Sequence, residues 1–389
     1  MDGAYIHLFC NDYKINTLGM NVRPVLLMYG LSLLFTATVA TAATAINVGA
    51  DITSKPIGFL SVGDWGSASL GGYHLRNAAG TAEAMKAYIA NGRGAGAGAG
   101  AGAEAGTSVA FVLNTGDNFY YCGIQNTSDP QITEDYTTLF GGMGIPWYHS
   151  LGNHDYGFSP EAQLGLNETI PEWIMDDRYY HRRVVLPGGG GGDGDIHINI
   201  IVLDTNPCVR DYRGTDRRKW DPCGTEYPDC SPIAEPCRFH ENILSQDCDT
   251  QLSWAKVVFA NIPEDEWVFV IGHHKAEEIN VADFQSTILD SPRVHLYLNG
   301  HNHNLEHYSV NGNAKYITTG AGGMVIIGGA DADADAERRH AAPVKSLWSK
   351  VVTGFTSHIF SNNGTTLTTY FWDIKSNTTS LYSFDVHLQ

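Results

Sequence analysis

Short apolar segments that each end in glycine, aspartate, asparagine or histidine recur along this chain. They read IGFLSVGDWG, VAFVLNTGDNFYY, PWYHSLGNHDY, HINIIVLDTN, WVFVIGHH and VHLYLNGHNHN. β-Branched and aromatic residues dominate them, which predicts buried strands. Helices are predicted between several of these strands, at 74–90, 130–140, 249–261 and 281–290. Strands that alternate with helices indicate an α/β layered fold.

The C-terminal part of the chain has a different pattern. Residues 307–389 contain strand-like runs without clear helices, which predicts a closing antiparallel sheet. Three low-complexity stretches, at 92–106, 188–195 and 328–343, contain few large apolar residues. Such stretches cannot pack into a core, so we expect surface loops there.

The chain of 389 residues is acidic, with a formal net charge of -18. Proteins that act as nucleic-acid scaffolds usually present a basic face, so this charge argues against that class. It does not exclude a local cationic site.

Residues 1–45 have the pattern of a targeting segment. Arg23 precedes the apolar stretch PVLLMYGLSLLFTATVATAATA, which ends in small residues at 43–45. This pattern predicts a cleaved signal peptide, and therefore a secreted or lumenal protein of the endomembrane, vacuolar or lysosomal system. The stretch is nearly long enough to span a bilayer, so a signal anchor is the alternative. Residues 46–389 are predicted to form a single domain.

Cysteines and sequons agree with this compartment. The cysteines after the segment are Cys122, Cys208, Cys223, Cys230, Cys237 and Cys248. An even number of cysteines in a secreted chain predicts disulfides, and no pair has the C-x-x-C spacing of a zinc site. N-x-S/T sequons fit a secreted glycoprotein. They begin at Asn126, Asn167, Asn363 and Asn377.

Side chains that can bind a metal ion stand at five successive strand ends. In chain order they are Asp64, Asp117 with Tyr120, Asn153 with His154, His273, and His301 with His303. The carboxyl ends of strands in an α/β fold gather on one rim, so we expect these side chains to converge. His301 and His303 are alternate residues of an extended segment and point the same way. Each signal is weak alone, but their conjunction predicts a metal site.

The segments GDWG, GDNFYYCG, GNHDY, GHH and GHNHNLEH resemble the ordered motifs GD, GDxxY, GNH[DE], GH and GHxH of the metallophosphoesterases. The tyrosine of the second motif makes the chain similar to the purple acid phosphatases. Longer matches such as PWYHSLGNHD resemble the tartrate-resistant acid phosphatase branch. The resemblance covers roughly residues 55–325. It implies the fold of the calcineurin-like superfamily, a four-layer α/β/β/α sandwich with two mixed β-sheets, here as one catalytic domain.

The resemblance also implies a dinuclear centre of Fe(III) and a divalent metal. The first ion would take Asp64, Tyr120, His303 and one oxygen of Asp117. These donors are mostly hard anionic oxygens, which suit Fe(III). The second ion would take Asn153, His273, His301 and the other oxygen of Asp117. Its amide and imidazole donors are neutral, so the charge of this half suits a divalent ion: Fe, Zn or Mn.

The implied activity is that of an acid phosphatase, a phosphoric monoester hydrolase. Metal-bound hydroxide would attack small phosphomonoesters or phosphoproteins, without a phosphoenzyme intermediate. The protein would be a monomer without a membrane attachment once the signal peptide has been cleaved. One alternative is a phosphodiesterase or nucleotide hydrolase with the same metals. Another is a metal-binding secreted glycoprotein with impaired catalysis, and a redox role for the iron is a further alternative.

Two histidines are predicted to be catalytic. By family analogy His154 faces the substrate as a phosphate donor or proton source, with a structural histidine as the alternative. Asp155 would either orient His154 or cap the turn. The branch usually continues its fourth motif as Gly-His-Tyr-Pro with a later substrate-side histidine, whereas this chain has His274 and Lys275. One of these two would take over phosphate contact or leaving-group protonation, unless both are simply exposed to solvent.

The segment 208–248 stands where mammalian relatives carry an exposed loop over the active site. It holds five cysteines and the basic run RDYRGTDRRKW. Two interpretations remain open, a lid that admits anionic substrates and a solvated excursion held by disulfides. Because five is odd, Cys122 is the expected partner of the last cysteine. That bridge would tether the segment beside the metals.

Overall fold

The computed structural model describes seven stretches of the chain. They are residues 56–93, 107–188, 194–214, 222–223, 236–325, 344–375 and 379–388. Outside them lie the predicted signal segment, the loop at 328–343, most of the loop at 92–106, the centre of the loop at 188–195 and the sequon at Asn377. No helix in the described stretches has both the length and the hydropathy that a membrane crossing requires.

The first of two mixed sheets has seven strands. Four parallel strands lie side by side: β1 (Ile57–Val62), β2 (Ser108–Asn114), β3 (Trp147–His149) and β4 (Trp173–Ile174). Three antiparallel strands continue the sheet beyond β1: β12 (Gly354–Ser361), β13 (Thr366–Asp373) and β14 (Tyr382–His387).

The second sheet also has seven strands. Its parallel part consists of β6 (Ile196–Val202), β7 (Trp267–Ile271), β8 (Leu296–Asn299) and β10 (Asn313–Thr319). Antiparallel strands complete both sides: β5 (Tyr180–Leu186) pairs with β6, β9 (Leu305–Val310) with β10, and β11 (Val344–Lys350) with β9.

Four α-helices accompany the sheets in the described residues: α1 (Gly72–Arg93), α2 (Pro160–Leu164), α3 (Phe239–Leu244) and α4 (Cys248–Ala260). Helices α1 and α4 confirm the predictions at 74–90 and 249–261, and the Asp247 side chain caps α4 by accepting from the Asp249 N–H. The predicted helices at 130–140 and 281–290 are single helical turns, Ile132–Thr137 and Gln285–Leu289. In the first of these, Tyr136 and Phe140 lie four residues apart and both pack against Trp65 in the core.

Strand β7 shows how the layers are arranged. One face of β7 joins the larger core through Trp267 and Phe269. The other face joins a separate core through Val270, together with Leu252 and Ala255 of α4. Alternate residues of a strand point to opposite faces, so β7 is covered by apolar side chains on both sides.

The two sheets pack face to face. The ring of Phe59 in β1 lies 5.2 Å from that of Phe269 in β7, and Phe360 in β12 lies 5.6 Å from Trp267. Helix α1 packs against the first sheet, where its buried Met85 joins the larger core. The predicted α/β fold with two mixed sheets is confirmed, with α1 and α4 as the outer layers.

The predicted closing sheet at 307–389 is distributed differently. Most of its strand pairs are antiparallel as expected, but β10 also pairs in parallel with β8. Strands β9, β10 and β11 belong to the second sheet and β12, β13 and β14 to the first. The apolar pattern of a strand defines which residues are buried but not which neighbouring strand it joins. That choice is made by long-range packing.

Candidate metal centre

The five strand ends that carry the predicted ligands do meet. Asp64 follows β1, Asp117 follows β2, Asn153 follows β3, and His273 and His301 follow β7 and β8. The first three lie on one sheet and the last two on the other, so the site is formed where the carboxyl ends of both sheets come together. Hydrogen bonds that involve the backbone are among those that join the sheets there. His301 N–H donates to Asp64 Oδ2 at 3.1 Å, and His273 Nδ1 lies 2.8 Å from the carbonyl oxygen of Thr115.

Three of these residues have left-handed backbone conformations. The φ angles are 56° at Asp64, 54° at Asp117 and 67° at His301. Such conformations cost about 1–3 kcal/mol for residues other than glycine, and they concentrate at functional sites. Gly152 allows a close approach in the same place, because a Cβ atom there would lie 2.1 Å from Asp117 Oδ1. Each sharp turn directs a polar side chain inward immediately after a buried strand.

One half of the site is rich in oxygen. The phenol oxygen of Tyr120 lies 3.0 Å from Asp64 Oδ1, 2.8 Å from Asp117 Oδ2 and 3.3 Å from His303 Nε2. His303 Nε2 is also 3.4 Å from Asp64 Oδ1. All four predicted donors of the first ion therefore converge.

The other half is rich in nitrogen. Asn153 Oδ1 lies 3.1 Å from His273 Nε2 and 3.1 Å from His301 Nδ1. His273 donates its Nδ1–H to the carbonyl of Thr115, because a carbonyl can only accept. In the neutral ring the lone pair of Nε2 therefore faces the site, which is the state in which imidazole binds a metal.

Asp117 connects the two halves through a single oxygen. Its Oδ2 lies 2.8 Å from Tyr120 Oη and 3.4 Å from His273 Nε2. Its Oδ1 instead accepts the backbone N–H of His154 at 2.9 Å. The sequence suggested one carboxylate oxygen for each ion, whereas this geometry directs Oδ2 toward both halves.

The electrostatics of the site favour bound cations. Burial raises the pKa of Tyr120, and the nearby carboxylates of Asp117 and Asp64 raise it further, so a phenolate there needs a compensating positive charge. Burial alone would raise the pKa of Asp117, but the imidazoles of His273, His154 and His301 outweigh it and hold that pKa well below its usual range. Burial likewise lowers the pKa of His273, and Asp117 reverses this and raises it to about 10.

The donor atoms suit two metal ions. Adjacent ligand atoms around an octahedral ion with bonds of about 2.1 Å stand about 3 Å apart, close to the separations within each half. Two groups in the described residues bring their donor atoms within 4.8 Å of one another, Asp64 with Asp117 and His303, and His273 with His274 and His301. The chemistry of the side chains therefore fits a pair of ions, the first among anionic oxygens and the second among nitrogens.

Comparison with known families agrees with this geometry. The model of the calcineurin-like phosphoesterases matches residues 58–305, which is well over half of the chain and includes every predicted ligand. The chain belongs to the calcineurin-like phosphoesterase family.

Relatives within this family are purple acid phosphatases, which confirms the resemblance found in the motifs. Purple acid phosphatase 7 of Arabidopsis thaliana is 29% identical over 224 residues, 55% of this chain and 60% of that protein. Tartrate-resistant acid phosphatase type 5 of Sus scrofa is 26% identical over 318 residues, 79% of this chain and 80% of that protein. The chain thus spans less than two thirds of the first relative and four fifths of the second.

A solved structure with the same fold is that of GAP50, described as the anchor in the inner membrane complex of Plasmodium. It aligns with a TM-score of 0.56 and 21% identity, over 86% of this chain and 90% of that protein. At this identity the likeness shows the fold alone.

His154 lies beside the two halves of the site, and a hydrogen bond fixes the orientation of its ring. Its Nδ1 is 2.6 Å from the carbonyl oxygen of Tyr121 and must therefore carry the proton, which leaves Nε2 for other contacts. The carboxylate of Asp155 accepts backbone N–H groups from Gly152 and Asn118. Of the two roles considered for Asp155, the structure supports capping of the turn.

His274 and Lys275 are buried, so the alternative of simple solvent exposure is wrong. The ring of His274 lies 4.7 Å from that of His301, and its nitrogens contact Thr205 Oγ1 and Tyr212 Oη. Lys275 points elsewhere and forms a salt bridge with Glu306. Lys275 is therefore committed to an internal charge pair rather than to a substrate phosphate.

The described part of the segment 208–248 is packed against the domain. Cys208, Tyr212 and Phe239 are buried, which contradicts a solvated excursion for this part. Disulfides join Cys208 to Cys248 and Cys223 to Cys237. Cys122 is also disulfide-bonded, while its predicted bridge to the segment stays a prediction.

No sequence pattern predicted a role for Thr205, Tyr212 or Glu306. Thr205 had a detectable signal, since it follows the buried run HINIIVLD at the same kind of strand end as the predicted ligands. Tyr212 lies in a segment without periodicity, and Glu306 is inside a strand. Their roles emerge only from contacts between distant parts of the chain.

Proposed function

We propose that this chain is an acid phosphatase that hydrolyses phosphate monoesters at a dinuclear metal centre. The observation that carries the proposal is the position of Asp117 Oδ2 between the two donor sets, 2.8 Å from Tyr120 Oη and 3.4 Å from His273 Nε2. Its family and its purple acid phosphatase relatives support the same reaction class.

Seven side chains would hold the ions. The oxygen-rich half, Asp64, Tyr120, His303 and Asp117, would take Fe(III). The nitrogen-rich half, Asn153, His273, His301 and Asp117, would take divalent Fe, Zn or Mn. When bound, such a pair neutralises the charge of phosphoryl oxygens and makes a water molecule acidic.

His154 would act on the substrate side. Its Nδ1–H is held by the carbonyl of Tyr121, so Nε2 is the atom that would contact a phosphate oxygen or pass a proton to the leaving group. His274 would contribute only through its neighbours, because both of its ring nitrogens already have hydrogen-bond partners.

Metal analysis combined with activity assays tests the proposal. The purified protein should contain two metal ions, at least one of them iron, and show a visible absorption band from a tyrosinate–Fe(III) pair. It should hydrolyse p-nitrophenyl phosphate faster than bis(p-nitrophenyl) phosphate. The reverse preference would favour the phosphodiesterase, and absence of iron would refute the ferric assignment.

A metal-binding glycoprotein with impaired catalysis is the second candidate. One observation favours it: neither His274 nor Lys275 offers an uncommitted group to replace the substrate-side histidine of this branch. Two bound metals without hydrolysis of either ester would support this candidate.

The proposed compartment is secreted or lumenal. The disulfides Cys208–Cys248 and Cys223–Cys237 support it, since such bonds persist in oxidising compartments. The sequons at Asn126, Asn167 and Asn363 are on exposed residues, as glycosylation requires. Treatment of the expressed protein with a glycosidase, followed by gel electrophoresis, tests the glycan assignment.

A further inference from the structure

In its described residues, the segment 208–248 reaches the nitrogen-rich half of the site through the side chain of Tyr212. Tyr212 Oη lies 2.7 Å from His274 Nε2, and the ring of His274 lies 4.7 Å from His301 and 4.9 Å from His273. Tyr212, His274 and His273 are all buried. One residue therefore separates the segment from two predicted ligands.

The hydrogen bonds of Thr205 determine which nitrogen of His274 carries the proton. Thr205 Oγ1 accepts the backbone N–H groups of His273 at 3.1 Å and His274 at 3.2 Å. A hydroxyl has two lone pairs and one hydrogen, so these two bonds leave only its hydrogen for His274 Nδ1, 2.8 Å away. His274 Nδ1 is therefore an acceptor, the ring is neutral, and its Nε2–H donates to Tyr212 Oη.

Hydrogen bonds to Thr205 and Tyr212 thus fix the ring plane of His274, which packs beside His273 and His301. Its nitrogens are close enough to those of His273 and His301 to suggest a third imidazole ligand. Ligation would require His274 to give up its bond to Thr205 or to Tyr212. The arrangement instead suits a ring that packs against the ligands and restricts their rotation.

Tyr212 is itself firmly fixed. Its ring packs edge-on against Phe239 at 5.3 Å, and the Cys208–Cys248 disulfide closes the segment near it. The carbonyl of Cys208 accepts the N–H groups of Asn280 and Val281, in the chain that follows the fourth motif. Because of these contacts, this part of the segment packs firmly beside the site instead of forming a loosely attached lid.

We propose that Tyr212 is a positioning residue for the nitrogen-rich half of the metal centre, acting through His274 on His273 and His301. The inference rests on the proposed metal centre. It adds that the affinity of one half for its ion depends on the cysteine-rich segment, whereas the affinity of the oxygen-rich half does not.

Zinc binding to Tyr212→Phe tests this proposal. The change removes the acceptor of the His274 Nε2–H and leaves the aromatic ring in place. We expect the affinity of the nitrogen-rich half for Zn²⁺ to fall about 10-fold, measured on the full chain by competition with a chelator. His273→Ala identifies which binding step belongs to that half.

Two variants serve as controls. Tyr316→Phe removes another buried tyrosine hydroxyl, which contacts Gln285 and Asp290 instead of the site, and should bind Zn²⁺ like the wild type. Thr205→Ser keeps the hydroxyl and should also behave as the wild type, while Thr205→Ala should repeat the loss. If Tyr212→Phe fails to fold, the comparison of Thr205→Ala with Thr205→Ser tests the proposal instead.

The outcomes separate this inference from the proposed function. If the wild type binds two Zn²⁺ ions but Tyr212→Phe binds both equally well, the positioning role is refuted and the metal centre stands. An increase in affinity would indicate that His274 is a ligand restrained by Tyr212, and an equal loss at both steps would indicate general damage; either result refutes the proposal. A wild type that binds no pair of ions refutes both.

Discussion

The ammonium nitrogen of Lys275 lies 2.5 Å from Oε2 of Glu306, and both side chains are buried. Lys275 follows His273 by two residues, and Glu306 follows His303 by three. The same ammonium lies 5.0 Å from the centre of the Tyr308 ring. The pair therefore fastens the loop of the fourth motif to the strand that follows the fifth, and so fixes two groups of predicted ligands relative to each other.

Breaking this pair is expected to destabilise the fold. Lys275→Met removes the cation from a buried carboxylate, and the free energy of unfolding should fall by about 3–5 kcal/mol. The double variant Lys275→Met/Glu306→Leu removes both charges and should recover most of the loss. Urea unfolding curves measure both effects.

A partly exposed ion pair provides the comparison. Arg182 Nε lies 2.5 Å from Asp176 Oδ2, but the two side chains are 26% and 30% exposed. Arg182→Met should therefore cost no more than about 1 kcal/mol. If Lys275→Met and Arg182→Met lowered the free energy of unfolding by similar amounts, the larger cost expected for an unpaired buried charge would be contradicted.

Tyr120→Phe should abolish any visible absorption band, because it removes the phenol oxygen that lies between Asp64 and Asp117. Tyr136→Phe is the control, since the hydroxyl of Tyr136 is buried without a hydrogen-bond partner among the described residues. That variant should keep the colour and the stability of the wild type. A coloured Tyr120→Phe protein would show that the band has another origin.

His154→Ala should lower kcat for p-nitrophenyl phosphate by about 100-fold or more, the usual contribution of a positioned proton donor. Its metal content should remain unchanged, because His154 is not among the predicted ligands. Steady-state kinetics and metal analysis on the same preparation measure both. Loss of metal together with activity would assign His154 a structural role instead.

The candidate ligands could be located in the sequence because the runs that precede them are buried strands. The rule that parallel strands gather their carboxyl ends placed Asp64 and Asp117 together, whereas His273 reaches them only because the second sheet packs against the first. The apolar runs before these residues are short and rich in β-branched and aromatic residues. The strands, and the rim at their carboxyl ends, could therefore be predicted from the sequence pattern alone.

Contacts made by side chains far apart in the chain could not be predicted in this way. The bond between Tyr212 and His274 joins a segment without periodicity to a strand end 62 residues away. Lys275 likewise reads as a surface residue until the strand carrying Glu306 is placed beside it. In both cases the sequence specifies the residues but only the packed sheets specify their partners.

The stability of the fold should depend on pH through Asp135. This buried carboxyl accepts the backbone N–H of Ser69 at 2.6 Å and its hydroxyl at 3.1 Å. Burial raises its pKa from 3.8 to about 7, although the bonds from Ser69 oppose the shift. Between these values the folded state keeps a proton that the unfolded state has lost. The stabilising contribution is therefore complete below about pH 4 and is lost as the pH rises to about 7.

Asp135→Asn should remove this dependence. A shift of that size corresponds to as much as about 4 kcal/mol, so the variant should gain stability relative to the wild type as the pH is raised from 4 to 8. Urea unfolding at several pH values gives the difference between the two proteins, which cancels the contributions of all other titrating groups. A difference that stays constant across this range would show that Asp135 titrates normally in the folded state, and its burial would then need another source of charge compensation.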